Sequence, residues 1–348
     1  MDTETLKKVI NANAPTRKKS IEFLAMLFDY HHYDFTVNSI EAAKMYGKQR
    51  FSKHQQELAM IICEKLLKKP KLANDPQLLK MKALYESGKR EEALICFRSI
   101  EKTLKYKGKQ AFDVSPTFTY FRSYLLSSGL PEIHKDNVKY RLYLNVGLEG
   151  RAEFAKKYME TCEKKGIPYY FKVFGGKDQT DTIVIYVDTL EHLAESVTAI
   201  DEIYNDPKNS TLRMRTNPPS PHLTRINEFV GYGFEPKVSE SYTTLILSAS
   251  NKTADKKNAL KAKIEGDFKL GRRFRSKTEP DIIPPSVEEL KKFHTLKPKD
   301  KLKFFRRYKD YIFMAYGKEI KELYTTIEQE MMKDRKFAQQ DVDDSGER

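Results

Sequence analysis

Two short runs set ionisable side chains into otherwise apolar, aromatic and β-branched sequence. In residues 138–146 (VKYRLYLNV), Arg141, Tyr143 and Asn145 occupy alternate positions, so a strand presents them on one face. In residues 169–174 (YYFKVF), Lys172 stands between Phe171 and Val173. A lysine in an aromatic strand is desolvated, which disfavours its charged form and suits it to act as a base; arginines nearby add to that effect and bind anions. The alternative is a strand face turned to solvent, on which the same residues do no chemistry. No phosphate-cradling Walker loop, Rossmann fingerprint, nucleophile elbow or zincin helix occurs. Gly231-Tyr232-Gly233 reads as a turn. Cys63, Cys96 and Cys162 lack metal-like spacing and an activating neighbour, which points to structural thiols in a reducing compartment. His31 and His32 have no third ligand at suitable spacing, so no metal and no cofactor are expected.

The elements that must carry these residues lie between 138 and 205. Residues 138–146, 169–174 and 182–187 read as strands, and 151–165 as a helix with Phe154, Tyr158 and Met159 near one face. Gly150, Gly166-Ile167-Pro168 and Gly175-Gly176 break them apart. Leu193, Val197, Ile200 and Ile203 give 190–205 a helical stripe. The long segment 206–237 is irregular and carries Arg213, Arg215, His222, Thr224 and Arg225; loops of that length are functional or disordered. Residues 242–250 fit a strand or the start of a helix, and 256–269 fit a helix. Before the strands, 2–110 is helical. Ser20 is a candidate N-cap, and 78–105 forms an αα-hairpin around Gly88 that resembles a single tetratricopeptide unit. Residues 105–109 read as a linker, and the aromatic segment 111–126 is expected to pack under the sheet. Ser286 caps a basic helical tail.

The expected fold class is α+β, with an N-terminal helical region, a small mixed sheet with packed helices, and a helical C-terminal tail. The expected domains are a helical region 1–110, an α+β domain 111–285, a basic helical tail 286–338 and a disordered end 339–348. The 348 residues carry a net charge of +14, which favours an anionic partner: nucleic acid, an acidic protein, a phosphorylated substrate or a membrane surface. No apolar run reaches the ~20 residues that cross a bilayer. Residues 1–20 lack the apolar core of a signal peptide. A cytoplasmic protein is expected, with export by a signal-less route left open.

The runs RLYLNV, IPYYFKV and DTIVIYV, followed by PHLTRINEFVGYGFEP, resemble the Hop-A-type effector family of plant-pathogen type III secretion. The same domain serves as the lyase of class V lanthipeptide and thioamitide biosynthesis, and it is distantly similar to phosphothreonine lyases. The resemblance covers roughly residues 138–250. It implies β-elimination of phosphate from phosphoserine or phosphothreonine in a peptide or host protein, with a partner kinase in the biosynthetic case. Matched to the motif, it implies catalytic roles for Lys172, Tyr143, Asn145 and Asp181, phosphate binding by Arg141 and Thr224, and supporting roles for Tyr186, Gly231 and Glu235. Arg213, Arg215, Arg225 and His222 join the phosphate-binding set on charge and position alone. The family follows its Gly-Tyr turn with an S-F-G-x-x-R-like segment, where this chain reads SESYTTLILS without Arg or His. That departure opens a second expectation, a phosphopeptide, leader-peptide or host-protein binding module without chemistry. A third is single-stranded nucleic acid held by Arg272, Arg273, Arg275, Lys277 and the Phe304-Phe305-Arg306-Arg307-Tyr308 run.

Overall fold

The computed structural model describes residues 1–13, 18–30, 53–114, 118–175, 181–234 and 242–333. The chain divides into two compact units. The first comprises residues 1–10, 35–220 and 225–236, and the second 11–34, 221–224 and 237–348. The boundary anticipated near residue 110 falls inside the first unit, and the anticipated tail shares the second unit with residues from the start of the chain. The fold class is α+β, as the hydrophobic periodicity indicates.

In chain order the principal elements begin with α1 (Thr3–Asn13), α2 (Ile21–Leu27), α3 (Lys53–Leu67), α4 (Pro76–Glu86) and α5 (Arg90–Thr103). The hairpin β1 (Lys105–Tyr106) and β2 (Lys109–Gln110), the strand β3 (Phe118–Arg122) and α6 (Ser123–Leu126) follow. The centre of the first unit is β4 (Tyr140–Val146), α7 (Arg151–Lys165), β5 (Tyr170–Phe174), β6 (Ile183–Val187) and α8 (Leu190–Asn205). Then come α9 (Ser210–Met214), β7 (Thr216–Asn217), β8 (Thr224–Arg225) and β9 (Gly231–Phe234).

The main sheet runs β3-β5-β6-β4-β9-β8, with β7 pairing the end of β4, and every pairing from β3 to β9 is antiparallel. Within it, β4-α7-β5-β6-α8-β9 forms a β-α-β-β-α-β unit whose β4 and β5 are split by β6, the split β-α-β arrangement. Alternation along each strand separates two faces. One face carries Leu142, Leu144, Val146, Phe171, Val173, Ile183 and Ile185, all buried, and joins Phe154, Tyr158, Leu193 and Val197 of α7 and α8 in the core. Phe121 stacks on Phe171 with ring centroids 4.8 Å apart.

Several local expectations change. Residues 118–122 do not lie under the sheet; they form its edge strand β3, because Thr119 and Phe121 face the core while Tyr120 and Arg122 face away. The expected linker 105–109 supplies the β1–β2 hairpin, with Lys107 and Gly108 in the left-handed region at φ 51° and 75°. Within the segment 206–237, the described residues 206–234 hold a short 3-10 turn at Pro207–Asn209, α9 and three short strands.

The second unit is helical: α2, α10 (Tyr242–Lys252), α11 (Ala254–Lys269), α12 (Val287–Lys292), α13 (Pro298–Arg307) and α14 (Lys309–Lys333). Residues 242–252 are thus helical, which settles that alternative. Ser20 and Ser286 cap α2 and α12 through their hydroxyls, and Glu289 completes a capping box at the latter. Phe28, Tyr30, Phe293 and Phe305 form an aromatic cluster, edge-to-face around Tyr30 and stacked between Phe293 and Phe305, with Tyr30 and Phe305 centroids 5.0 Å apart. The expected disordered end, 339–348, lies outside the described residues. No helix among the described residues is long and apolar enough to cross a membrane.

Candidate functional site

The face of the sheet opposite the core holds the ionisable strand residues, because they sit one position out of phase with the core set. Register aligns them in two rows. One row runs Gly231, Tyr143, Val184, Lys172 and Tyr120 across β9, β4, β6, β5 and β3. The next runs Gly233, Arg141 and Tyr186 across β9, β4 and β6. Tyr170 and Arg122 pair at its far side, on β5 and β3. Gly231-Tyr232-Gly233, expected as a turn, is strand β9, and its two glycines bring no side chain to this face beside Tyr143 and Arg141.

The rows are stitched by rings and cations. Tyr170 stacks on Tyr186 at 4.6 Å. The Arg141 guanidinium lies 5.2 Å from the Tyr186 ring centre, and that of Arg122 lies 5.2 Å from Tyr170. Lys172 Nζ sits among three rings, 4.9 Å from Phe174, 5.5 Å from Phe118 and 5.8 Å from Tyr186. Each ring face attracts the positive charge. Lys172 and Arg141 are half-buried, whereas Tyr143, Tyr170 and Tyr186 are buried. Burial, then the neighbouring Tyr120, lifts the Tyr186 phenol well above its ordinary value against the pull of Arg141. Burial and Tyr170 push Tyr120 up to about 12. Both phenols stay protonated at neutral pH, and their rings lie 6.4 Å apart.

The structure brings together Arg141, Tyr143, Lys172, Tyr186 and Gly231 from the expected set. It adds Tyr120, Tyr170 and Arg122, which sequence reading did not select. The signal was present in the FTYFR run, whose Tyr120 and Arg122 alternate with core residues as Arg141 and Tyr143 do. Arg122 is partly committed, since its Nη2 donates to Asp113 at 2.6 Å.

Other expected residues take different surroundings. Asn145 shares the face but lies at the β7 end, where its amide donates to the Pro218 carbonyl at 3.2 Å. Asp181 is buried just before β6, at φ 59°, and its carboxylate accepts the Ser220 N–H at 3.1 Å and the Ser220 hydroxyl. It is thereby tied to the 206–220 segment and not to Lys172. Arg213 stacks on Phe229 at 5.3 Å and pairs with Glu228, and Arg215 pairs with Glu149 at 3.8 Å. Both arginines precede β7, beyond the Asn145 end of β4, and outside the two rows. Arg225 is exposed on β8. His222 and Thr224 are buried and belong to the second unit. Glu235, His31 and His32 lie outside the described residues.

The basic run 271–277 belongs to the second unit, where Arg272 pairs with Asp267 at 3.0 Å and Arg273 lines an open cavity of about 630 Å³ with Ser286, Arg307 and Tyr308. Phe304 and Phe305 are buried, and Arg306 and Arg307 pair with Glu22 and Glu289. Those two phenylalanines therefore serve as core and not as a stacking platform. Burial pushes the Cys63 and Cys162 thiols up to about 12, so they are poor nucleophiles at neutral pH. Among the described residues no cluster of three His, Cys, Asp or Glu side chains is arranged to hold a metal.

Compared with known proteins, the chain matches no family model, no curated protein sequence and no solved structure at the level of significance.

Proposed function

We propose that the sheet face of the first unit acts on phosphorylated serine or threonine side chains by β-elimination. Lys172 takes the Cα proton of the substrate residue. The electrons of that C–H bond form the Cα=Cβ double bond, and the Cβ–O bond breaks with its pair on the leaving phosphate. Arg141 and the protonated phenol of Tyr186 hold the phosphate and the charge that develops on it. The products are dehydroalanine or dehydrobutyrine and inorganic phosphate. The observation that carries the reading is the register that gives Lys172 and Arg141 one shared face, two strands apart, with Tyr186 between. Two strand spacings are about 10 Å, a gap that two long side chains close around one phosphorylated residue.

Mass spectrometry tests it. A phosphoserine or phosphothreonine peptide incubated with the protein, and with a partner kinase where one is required, should lose phosphoric acid. Lys172→Ala should abolish the loss, and Arg141→Ala should raise KM about 10-fold or more, as expected for a charged hydrogen bond. Wild-type protein that leaves every phosphopeptide intact would sink the elimination reading.

A second reading is a phosphopeptide-binding module without chemistry. The rings around Lys172 support it, because they attract the charged ammonium. So does the SESYTTLILS segment, which offers no arginine or histidine. Phosphopeptide binding that requires Arg141, with no turnover under any condition, selects this reading.

A further inference from the structure

A second cationic feature lies elsewhere in the first unit. The C-terminal end of α3, the turn after α6 and the last turns of α7 line an open cavity of about 290 Å³. Its polar lining is Lys65, Lys68, Lys69, Ser127, Ser128 and Glu163. Their charges do not cancel. Glu163 is committed to Lys65, whose Nζ reaches both carboxylate oxygens at 2.6 and 2.7 Å, and it also accepts from Tyr169 at 3.0 Å and from Ser127. Burial works to raise the Glu163 carboxyl, but Lys65 and Ser127 hold it below its ordinary value. It is therefore ionised; it pairs directly with Lys65 and reaches Lys69 only through space.

Among the described residues Lys69 has no carboxylate at ion-pair distance, and the more distant Glu163 offsets its like-charged neighbours only in part. Lys69 is 6% exposed, and among the described residues its polar partner is the Ser128 hydroxyl at 3.3 Å. Lys107 adds a further positive charge nearby, its Nζ donating to the Tyr124 carbonyl at 2.6 Å. Burial and that like charge push the Lys69 ammonium below its ordinary value. Lys68 is exposed at the rim. A helix C-terminus favours cations in its last turn, which accounts for lysines being near α3's end. It does not account for a lysine whose side chain is largely covered and whose ammonium has one hydroxyl partner at the wall of an open cavity, since covering a charge is costly unless a counter-charge completes it.

We propose that this cavity is an oxyanion site of the phosphate class, with Lys69 and Lys68 as charged donors and Ser128 as the orienting hydroxyl. Ammonium groups act as point charges on phosphate, and the volume accommodates a phosphate together with a small attached group. The ligand is either a free phosphate ester or the phosphorylated side chain of a peptide. The site is lined by residues that the elimination reading does not use, so it stands independently of that reading.

Thermal melting and calorimetric titration of the full-length protein test it, with inorganic phosphate compared against chloride at equal ionic strength. Phosphate should raise Tm in a concentration-dependent way, and chloride should not. Lys69→Met should weaken phosphate binding about 10-fold or more, and Ser128→Ala, an exposed change that leaves the core intact, should weaken it severalfold. Lys69→Met should also melt higher than wild type without phosphate, because it removes a buried charge. Lys80→Met, an exposed lysine of α4 outside the cavity and the sheet face, should bind phosphate like wild type; an equal loss there would show a general charge effect and overturn the proposal. Equal effects of phosphate and chloride, or undiminished binding in both Lys69→Met and Ser128→Ala, would overturn it as well. Competition by a phosphoserine peptide, absent for its unphosphorylated form, assigns the ligand to a peptide; binding of phosphate without such competition assigns it to a free ester.

Discussion

At the scale of single residues, Asp181 carries a carboxyl buried away from water. Burial raises its carboxyl from 3.8 to about 6, against the two Ser220 hydrogen bonds that favour the anion. A carboxyl raised in the folded state contributes stability that is complete below its unfolded value and is lost as pH climbs through its folded value. Above about pH 6 the ionised, buried Asp181 therefore costs up to about 3 kcal/mol. Asp181→Asn retains an acceptor for the Ser220 N–H and removes the charge. Its urea-denaturation stability should fall less than that of wild type between about pH 4 and 7, with the two curves converging toward acid; parallel curves would contradict this. The motif led to a catalytic assignment for Asp181 because the DTIVIYV run identifies the residue but not its neighbours. Ser220 is 39 positions away, and no local pattern joins them. Lys172 shows the same limit. Its aromatic strand neighbours are legible, but the rings of Phe118 and Tyr186 reach it only through strand pairing.

At the scale of elements, the sheet owes its two chemically distinct faces to strict alternation. Phe171 on β5 is fully buried, stacks on Phe121 and meets the edge of Tyr158 at 5.4 Å. Phe171→Ala should cost about 3–5 kcal/mol of unfolding free energy. Because it opens the core face and not the cationic one, any activity should fall with the folded fraction and not through KM, a comparison that denaturation and kinetics at one temperature decide. The C-cap of α7 is a smaller case. Gly166 holds φ 74°, and Gly166→Ala should destabilise by about 1 kcal/mol through the left-handed strain alone, read as a lowered denaturation midpoint at unchanged slope. Helices α7 and α8 and the strands they join were legible because period and breakers agree along the chain. The helix at 242–252 was ambiguous because YTTLILS suits either state by composition. Only its packing against α14 in the second unit selects the helix.

At the scale of the whole molecule, the net charge of +14 is not spread as a single field. In the second unit much of it is paired locally, as in Lys301 with Glu265 and Lys263 with Glu319. The more exposed of these, Lys263 with Glu319, contributes little and is screened by salt. Phosphopeptide binding by the half-buried Arg141 face should therefore weaken about 10-fold, and not by several orders, between about 50 and 500 mM NaCl. A much steeper loss, extending to unphosphorylated anionic polymers, would favour the nucleic-acid reading instead. The division into units was illegible because it rests on contacts between distant residues. Tyr324 donates to the Ser20 carbonyl 304 positions away, and Phe28 meets Phe305.

By itself, the sequence determined the α+β class, most element boundaries between 138 and 205, and the alternation that sets Arg141, Tyr143 and Asn145 on one face. These follow from local periodicity, which sterics translate directly into helix or strand. Only the tertiary structure decided that β6 lies between β4 and β5, so that Lys172 and Arg141 share a face across Val184 and Tyr186. Strand order and register are set by burial of the opposite face, a property of the folded core that no single segment carries.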